Sequence, residues 1–146
     1  MLPWDLAMGA RGWLRPVSCM LRYWEGFSLT LQECYAGMNG SYEEARGRLM
    51  TDSMIERFLF RFLDDPTMAN LRAAVAAGDI PVSFREAHTM KGVAANLAFT
   101  QLREAASQLT EQLRGQNAPA DAALLAAVEQ AYADVVNAIG AYRAQK

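Results

Sequence analysis

Histidine occurs once in this 146-residue chain, cysteine only twice, and lysine and arginine never cluster into a block. One histidine with Cys19 and Cys34, which have no C-x-x-C spacing, is too little for the common zinc patterns, so no metal site is expected. The two cysteines read as free thiols of a reducing cytoplasm, and nothing in their placement argues for a disulfide. A formal net charge of −2 and a pI near 5.4 lack the field of a nucleic-acid binder, which excludes nucleic acid as an expected partner. There is no G-x-x-x-x-G-K-[ST] loop and no dinucleotide fingerprint. The chain therefore has no evident means of holding ATP, and no ATP-dependent kinase activity of its own is expected. No acidic cluster of the kind that holds magnesium is seen. No uninterrupted apolar run approaches the length needed to span a bilayer, so no membrane span is expected. Period-2 alternation is absent too, and the Asn-Gly pair at 39–40 lies between helix signals rather than between strands.

What is present is an ordinary globular balance, 52% hydrophobic and 21% charged, long enough for one domain with a real core. Residues 1–27 are apolar and aromatic but broken by Asp5, Arg11, Arg15, Arg22 and Glu25, without the compact centre of a signal peptide. They read as an N-terminal extension of unassigned role, and 28–146 as one helical domain. Thr30-x-x-Glu33 and Ser41-x-x-Glu44 are capping-box patterns at two helix starts. In "TDSMIERFLFRFL" the residues Met54, Ile55, Phe58, Leu59, Phe62 and Leu63 share one broad face, with Glu56, Arg57 and Arg61 on the other. "DDPTMANLRAAVAAGD" has Asp65 as N-cap, Pro66 at the first helical position and Gly78 as the stop, and offers Met68, Leu71, Ala74 and Val75 to a core. After a "GDIP" link the spacing predicts helices over about 82–97, 99–114 and 119–143. The second carries a stripe of Leu102, Ala105, Ala106, Leu109 and Leu113; the third carries Leu124, Val128, Ala131, Val135 and Ile139. Short links between amphipathic helices predict an all-α antiparallel four-helix bundle with an additional short N-terminal helix.

The lone His88 sits in "SFREAHTMKGVAANLAF", residues 83–99. Successive helical residues turn by about 100°. With Phe84 at zero, the stripe Ala87, Met90, Ala94 and Leu97 centres near roughly 260° and His88 falls near roughly 40°, away from it. Its neighbours at helical spacing are Phe84, Lys91, Gly92 and Ala95. Spacing alone serves a solvated surface imidazole as well as a reactive one. Gly92 tips the balance, because glycine inside a good helix costs about 1 kcal/mol relative to alanine and asks for a reason, such as close approach by another molecule. An unperturbed imidazole titrates near about 6.5, so a neutral ring with a free lone pair is available at cytoplasmic pH. Lys91, with Arg85 on the flank, would disfavour the imidazolium by like-charge repulsion.

"AHTMKGVAANLAF" resembles the H-x-x-K-G signature of histidine-containing phosphotransfer (HPt) domains, followed by a helix at the family's spacing. The likeness spans about residues 29–142. It implies a four-helix bundle with an added N-terminal helix, in which His88 accepts a phosphoryl group from one receiver-domain aspartate and passes it to another. It implies that Lys91 attracts the phosphoryl oxygens and that Gly92 leaves room for the receiver. The implied partners are response-regulator receiver domains and a hybrid sensor kinase. Magnesium would sit on the receiver, and this chain would need no cofactor. Phe84, Arg85 and Ala95 are the candidate docking residues, with Leu29, Leu31, Tyr35 or Met38 from the first helix; for the last three a core role is the better reading. Ala98 stands where the family often has glycine. Thr110 and Arg114 stand where it often has a hydrogen-bonding residue and sometimes arginine. Arg114 serves equally as a C-terminal charge complementing the helix dipole. Phe58, Phe60 and Phe62 read as packing, and Tyr132 and Tyr142 have no assigned role. A monomeric cytoplasmic protein is expected, since a transfer site needs a free face.

The competing reading is a helical protein–protein adaptor working through the N-terminal segment, with His88 incidental. A haem or metal binder is poorly motivated, because His88 has no second ligand at helical spacing. A sensor-kinase dimerisation hairpin lacks its usual His-Glu beginning, since Thr89 follows the histidine.

Overall fold

Seven α-helices and no strand make up residues 29–145, the part of the chain described in the computed structural model. The expected extension over 1–27, Cys19 included, lies outside the described residues. The first helices are short and begin where hydroxyl side chains can hold backbone donors. α1 (Leu31–Gly37) has the full capping box, Thr30 accepting from the Glu33 N–H while Glu33 accepts from the Thr30 N–H. At α2 (Tyr42–Leu49) only the Ser41 half forms. The Glu44 carboxylate goes instead to Arg48 at 3.2 Å and Arg103 at 3.9 Å. α3 (Asp52–Phe62) is capped by Thr51 and buries Ile55, Leu59 and Phe62 of the predicted face.

Two boundaries differ from the sequence reading. At α4 (Thr67–Ala77) Pro66 is itself the N-cap and Asp65 reaches past it to accept from the Thr67 N–H at 2.8 Å. Gly78 ends the helix in the left-handed region at φ 70, as its position predicts. The "GDIP" segment is no link: Asp79 caps α5 (Ile80–Asn96) by accepting from the Val82 N–H, and Ile80 and Pro81 form its first turn. Proline fits there because the N–H it lacks has no partner in a first turn anyway. α6 (Thr100–Leu113) and α7 (Ala122–Ala144), the latter capped by Asp121, complete the chain.

Helix α5 packs on α6 and α4, and α6 on α7; α1 closes onto α7 and α2 onto α3. The all-α bundle read from the sequence is the fold. All five stripe residues of α6, and four of the five named for α7, are buried, with Leu124 half-buried at the margin. Phe62 packs on Phe99 in the core and on the half-buried Tyr132 at its margin, while Phe58 and Phe60 lie half-buried beneath the guanidinium groups of Arg61 and Arg143. Cys34 is a buried free thiol whose ionisation burial pushes up to about 12, so it is unreactive. α7 is long and apolar enough to cross a membrane by length and composition. Its Val128, Ala131, Val135, Ile139 and Tyr142 face the core.

The α5–α6 turn is locked from outside. Ala98 takes φ 61, where family likeness suggested glycine, and its carbonyl accepts from the Ser41 N–H at 3.0 Å. Asn39 and Gln101 join the same two loops, side chain to side chain and backbone to backbone. Gly40 sits in this seam, where a Cβ would stand 2.7 Å from the Ala98 carbonyl oxygen and 3.0 Å from the Tyr35 ring. Backbone cannot yield as a flexible side chain does. We expect Gly40→Ala to destabilise the fold by about 1–3 kcal/mol, the usual range for overpacking, read as a lower urea midpoint.

Candidate functional site

The α5 helix turns Ala87, Met90 and Ala94 fully inward and leaves His88 exposed, as the helical wheel predicts. Asp79 and Pro81 set its start, and the Ala98 turn sets its end, so the histidine lies mid-helix on rigid backbone. The imidazole is stacked on the Phe84 ring one turn earlier, with centroids 6.2 Å apart and planes 18° from parallel. Above Phe84 lies the Arg114 guanidinium, its carbon 5.6 Å from the ring centroid. Arg114 is the C-cap of α6. Glu111 holds it with a two-point fork: Nε donates to Oε1 at 3.0 Å and Nη2 donates to Oε2 at 2.7 Å. A ladder of imidazole, phenyl, guanidinium and carboxylate thus runs from α5 to the end of α6.

Charges on this face are coupled across the same two helices. The Arg114 hydrogen bond holds the Glu111 carboxyl below its ordinary range, and the charge of Lys91 adds to the effect. Glu111 in turn raises Arg114. Lys91 is half-buried and borders a shallow groove with Arg103, Glu104, Ser107 and Gln108 of α6. Gly92 is exposed, and a Cβ there would have nothing within 4 Å. Among the described residues, no contact therefore accounts for a glycine at that position. Ala95 is half-buried beside it.

Arg85 lies on the flank, as expected, and Thr110 is placed away from the exposed face. Arg85 is exposed, with Glu86 beside it at 3.4 Å, and borders the α4–α5 groove with Asn70, Ala77 and Asp79. Thr110 is 0% exposed and its hydroxyl donates to the Ala106 carbonyl at 2.7 Å. That bond within α6 lets a threonine sit in an apolar core. It does not bring the hydroxyl to the exposed face. Of the first-helix candidates, Leu31, Tyr35 and Met38 are buried, the Tyr35 hydroxyl donating to the Leu97 carbonyl at 2.8 Å. Only Leu29 is half-exposed.

Sequence reasoning passed over Glu111. Its spacing from Arg114, three residues on a helix, is a standard ion-pair signal, but the seat of that pair above Phe84 of α5 is tertiary. No three His, Cys, Asp or Glu side chains among the described residues converge as a metal site. The face offers an exposed imidazole, cations beside it and a bare strip of helix.

A protein-family model described as the Hpt domain matches residues 54–138, from within α3 to within α7. No curated protein and no solved structure matches the chain. Hpt domains are phosphocarrier modules, not kinases, and act by histidine phosphotransfer with receiver domains in phosphorelays. With the match covering more than half of the chain and centred on the helix that exposes His88, the chain belongs to the Hpt domain family.

Proposed function

We propose that His88 takes a phosphoryl group from the aspartyl phosphate of one receiver domain and hands it to the aspartate of a second. The neutral imidazole attacks phosphorus with the lone pair of one ring nitrogen. An N–P bond forms as the P–O bond to the aspartyl carboxylate breaks; the carboxylate leaves with the bonding electrons, and the ring keeps its proton on the other nitrogen. The reverse sequence on a second receiver regenerates the free histidine. In-line approach needs a ring that a folded partner can reach, which is why exposure on a helix suits this chemistry better than a cleft. The observation that carries the reading is the exposed imidazole next to Gly92, whose open surroundings leave the partner a flat approach.

Lys91 offsets charge on the transferred group, which is spread over its equatorial oxygens. Phe84 and Ala95 supply apolar contact for the receiver, and Arg85 lies at the edge of that surface. Arg114 acts from above Phe84. Magnesium belongs to the receiver, and a hybrid sensor kinase is the upstream source. The carrier works as a cytoplasmic monomer, so that donor and acceptor can use the same face in turn.

Incubation with phosphorylated receiver domains from the same genome should place acid-labile, alkali-stable phosphate on His88. ATP alone should place none. Labelling from ATP without a partner, or label mapping to another residue, overturns the reading.

A further inference from the structure

We propose that Glu111 is a positioning residue for phosphoryl transfer: it keeps Arg114 drawn away from the phosphoryl group on His88. The proposal rests on the carrier reading above and concerns how tightly the same site holds its cargo. Its basis is the ladder geometry. Arg114 lies over Phe84, and Phe84 lies against His88, so the guanidinium is one ring away from the transferred group. A planar guanidinium binds phosphate and carboxylate by the same two-point fork. Here that fork is filled by Glu111 at 2.7 and 3.0 Å. One carboxylate therefore occupies the guanidinium nearest the histidine stack. The charge of Lys91 is a smaller influence on the same carboxyl, which it helps hold below its ordinary range.

A carrier must release what it accepts. Were Arg114 free to close on the phosphoryl oxygens beside Lys91, the phosphohistidine would be stabilised and onward transfer would become less favourable. Glu111 offers Arg114 a competing partner of the same shape, so the phosphoryl group meets a weakened field. Other charged groups around this face are Arg85, Glu86 and Lys91 on α5 and Arg103 and Glu104 on α6; on the α4 side the groove beside α5 adds Asp79. Of these, Arg85 is occupied with Glu86 and Arg103 lies near Glu44.

The test compares the unmodified protein with Glu111→Gln, Glu111→Asp, Arg114→Met and the double variant Glu111→Gln/Arg114→Met. Each is phosphorylated chemically with phosphoramidate, and the phosphoryl resonance is titrated against pH by phosphorus NMR. Removing the carboxylate should favour the dianionic phosphoryl group, lowering its proton affinity about two- to fivefold, the size expected for freeing one exposed ion pair. Glu111→Asp should restore the unmodified titration, and Arg114→Met should remove most of the gain from Glu111→Gln. A second arm titrates inorganic phosphate into the unphosphorylated proteins and follows the His88 ring resonances. Glu111→Gln should bind about two- to fivefold more tightly. Identical behaviour of the unmodified and Glu111→Gln proteins in both arms, or Glu111→Asp matching Glu111→Gln, overturns the proposal. If His88 takes no label in any of them, it is the carrier reading that fails, while the phosphate arm still decides the part of Glu111.

Discussion

His88→Gln abolishes phosphoryl acceptance and leaves the fold intact. Glutamine has no ring nitrogen lone pair of comparable nucleophilicity, and the described part of the chain holds no second histidine to substitute. Labelling by a phosphorylated receiver should fall below detection rather than decline by some factor. The fold should hardly notice, because the ring is exposed and stacks on the neighbouring Phe84 of its own helix. Glutamine is a good helix former, and surface changes of this kind usually stay within about 0.5 kcal/mol. The measurement is therefore a pair: receiver-dependent labelling and a urea midpoint on the same preparation. Full labelling of the glutamine protein would remove His88 from the chemistry and leave the adaptor reading standing.

The histidine's outward orientation was legible because helical period is a local property. Ala87, Met90 and Ala94 repeat at three and four residues, so the opposite face could be named without coordinates, and the caps at Thr30 and Ser41 follow from residue type alone. The start of α5 was misread for a similar reason in reverse. Proline after glycine and aspartate looks like a break, yet aspartate at the N-cap and proline in the first turn are also the way a helix begins. Thr110 shows where a family position misleads: its hydroxyl finds Ala106 one turn back, so the residue at a place where the family often has a hydrogen-bonding group is wholly buried. The ladder from His88 to Glu111 was out of reach, because it depends on how α6 ends beside α5. Arg114 can be read as a helix-terminal charge from its position, but its seat above Phe84 comes only from packing.

Gly92→Gln separates docking from folding, since the two effects should have opposite signs. Gly92 lies within α5, and a Cβ there meets nothing within 4 Å. The substitution should thus stabilise the protein by up to about 1 kcal/mol through helix propensity, with no steric penalty inside the bundle. A receiver approaching His88 in line, however, must pass over the strip that Gly92 and Ala95 form one turn away. A glutamine side chain projecting there would hold the partner off by several ångströms, and a misplacement of about 1 Å is enough to cost about a hundredfold in rate. We expect receiver-to-His88 transfer to slow at least about that much while chemical phosphorylation by phosphoramidate, which needs no docking, stays near the unmodified rate. Gly140 supplies the control. It is exposed within α7, it too would have nothing within 4 Å of a Cβ, and α7 is not among the principal packing partners of α5. Gly140→Gln should share the gain in stability and leave transfer unchanged. Equal transfer rates for the two variants would mean that the bare strip beside the histidine has no part in partner approach. A loss of transfer accompanied by a loss of stability would instead trace the effect to the fold.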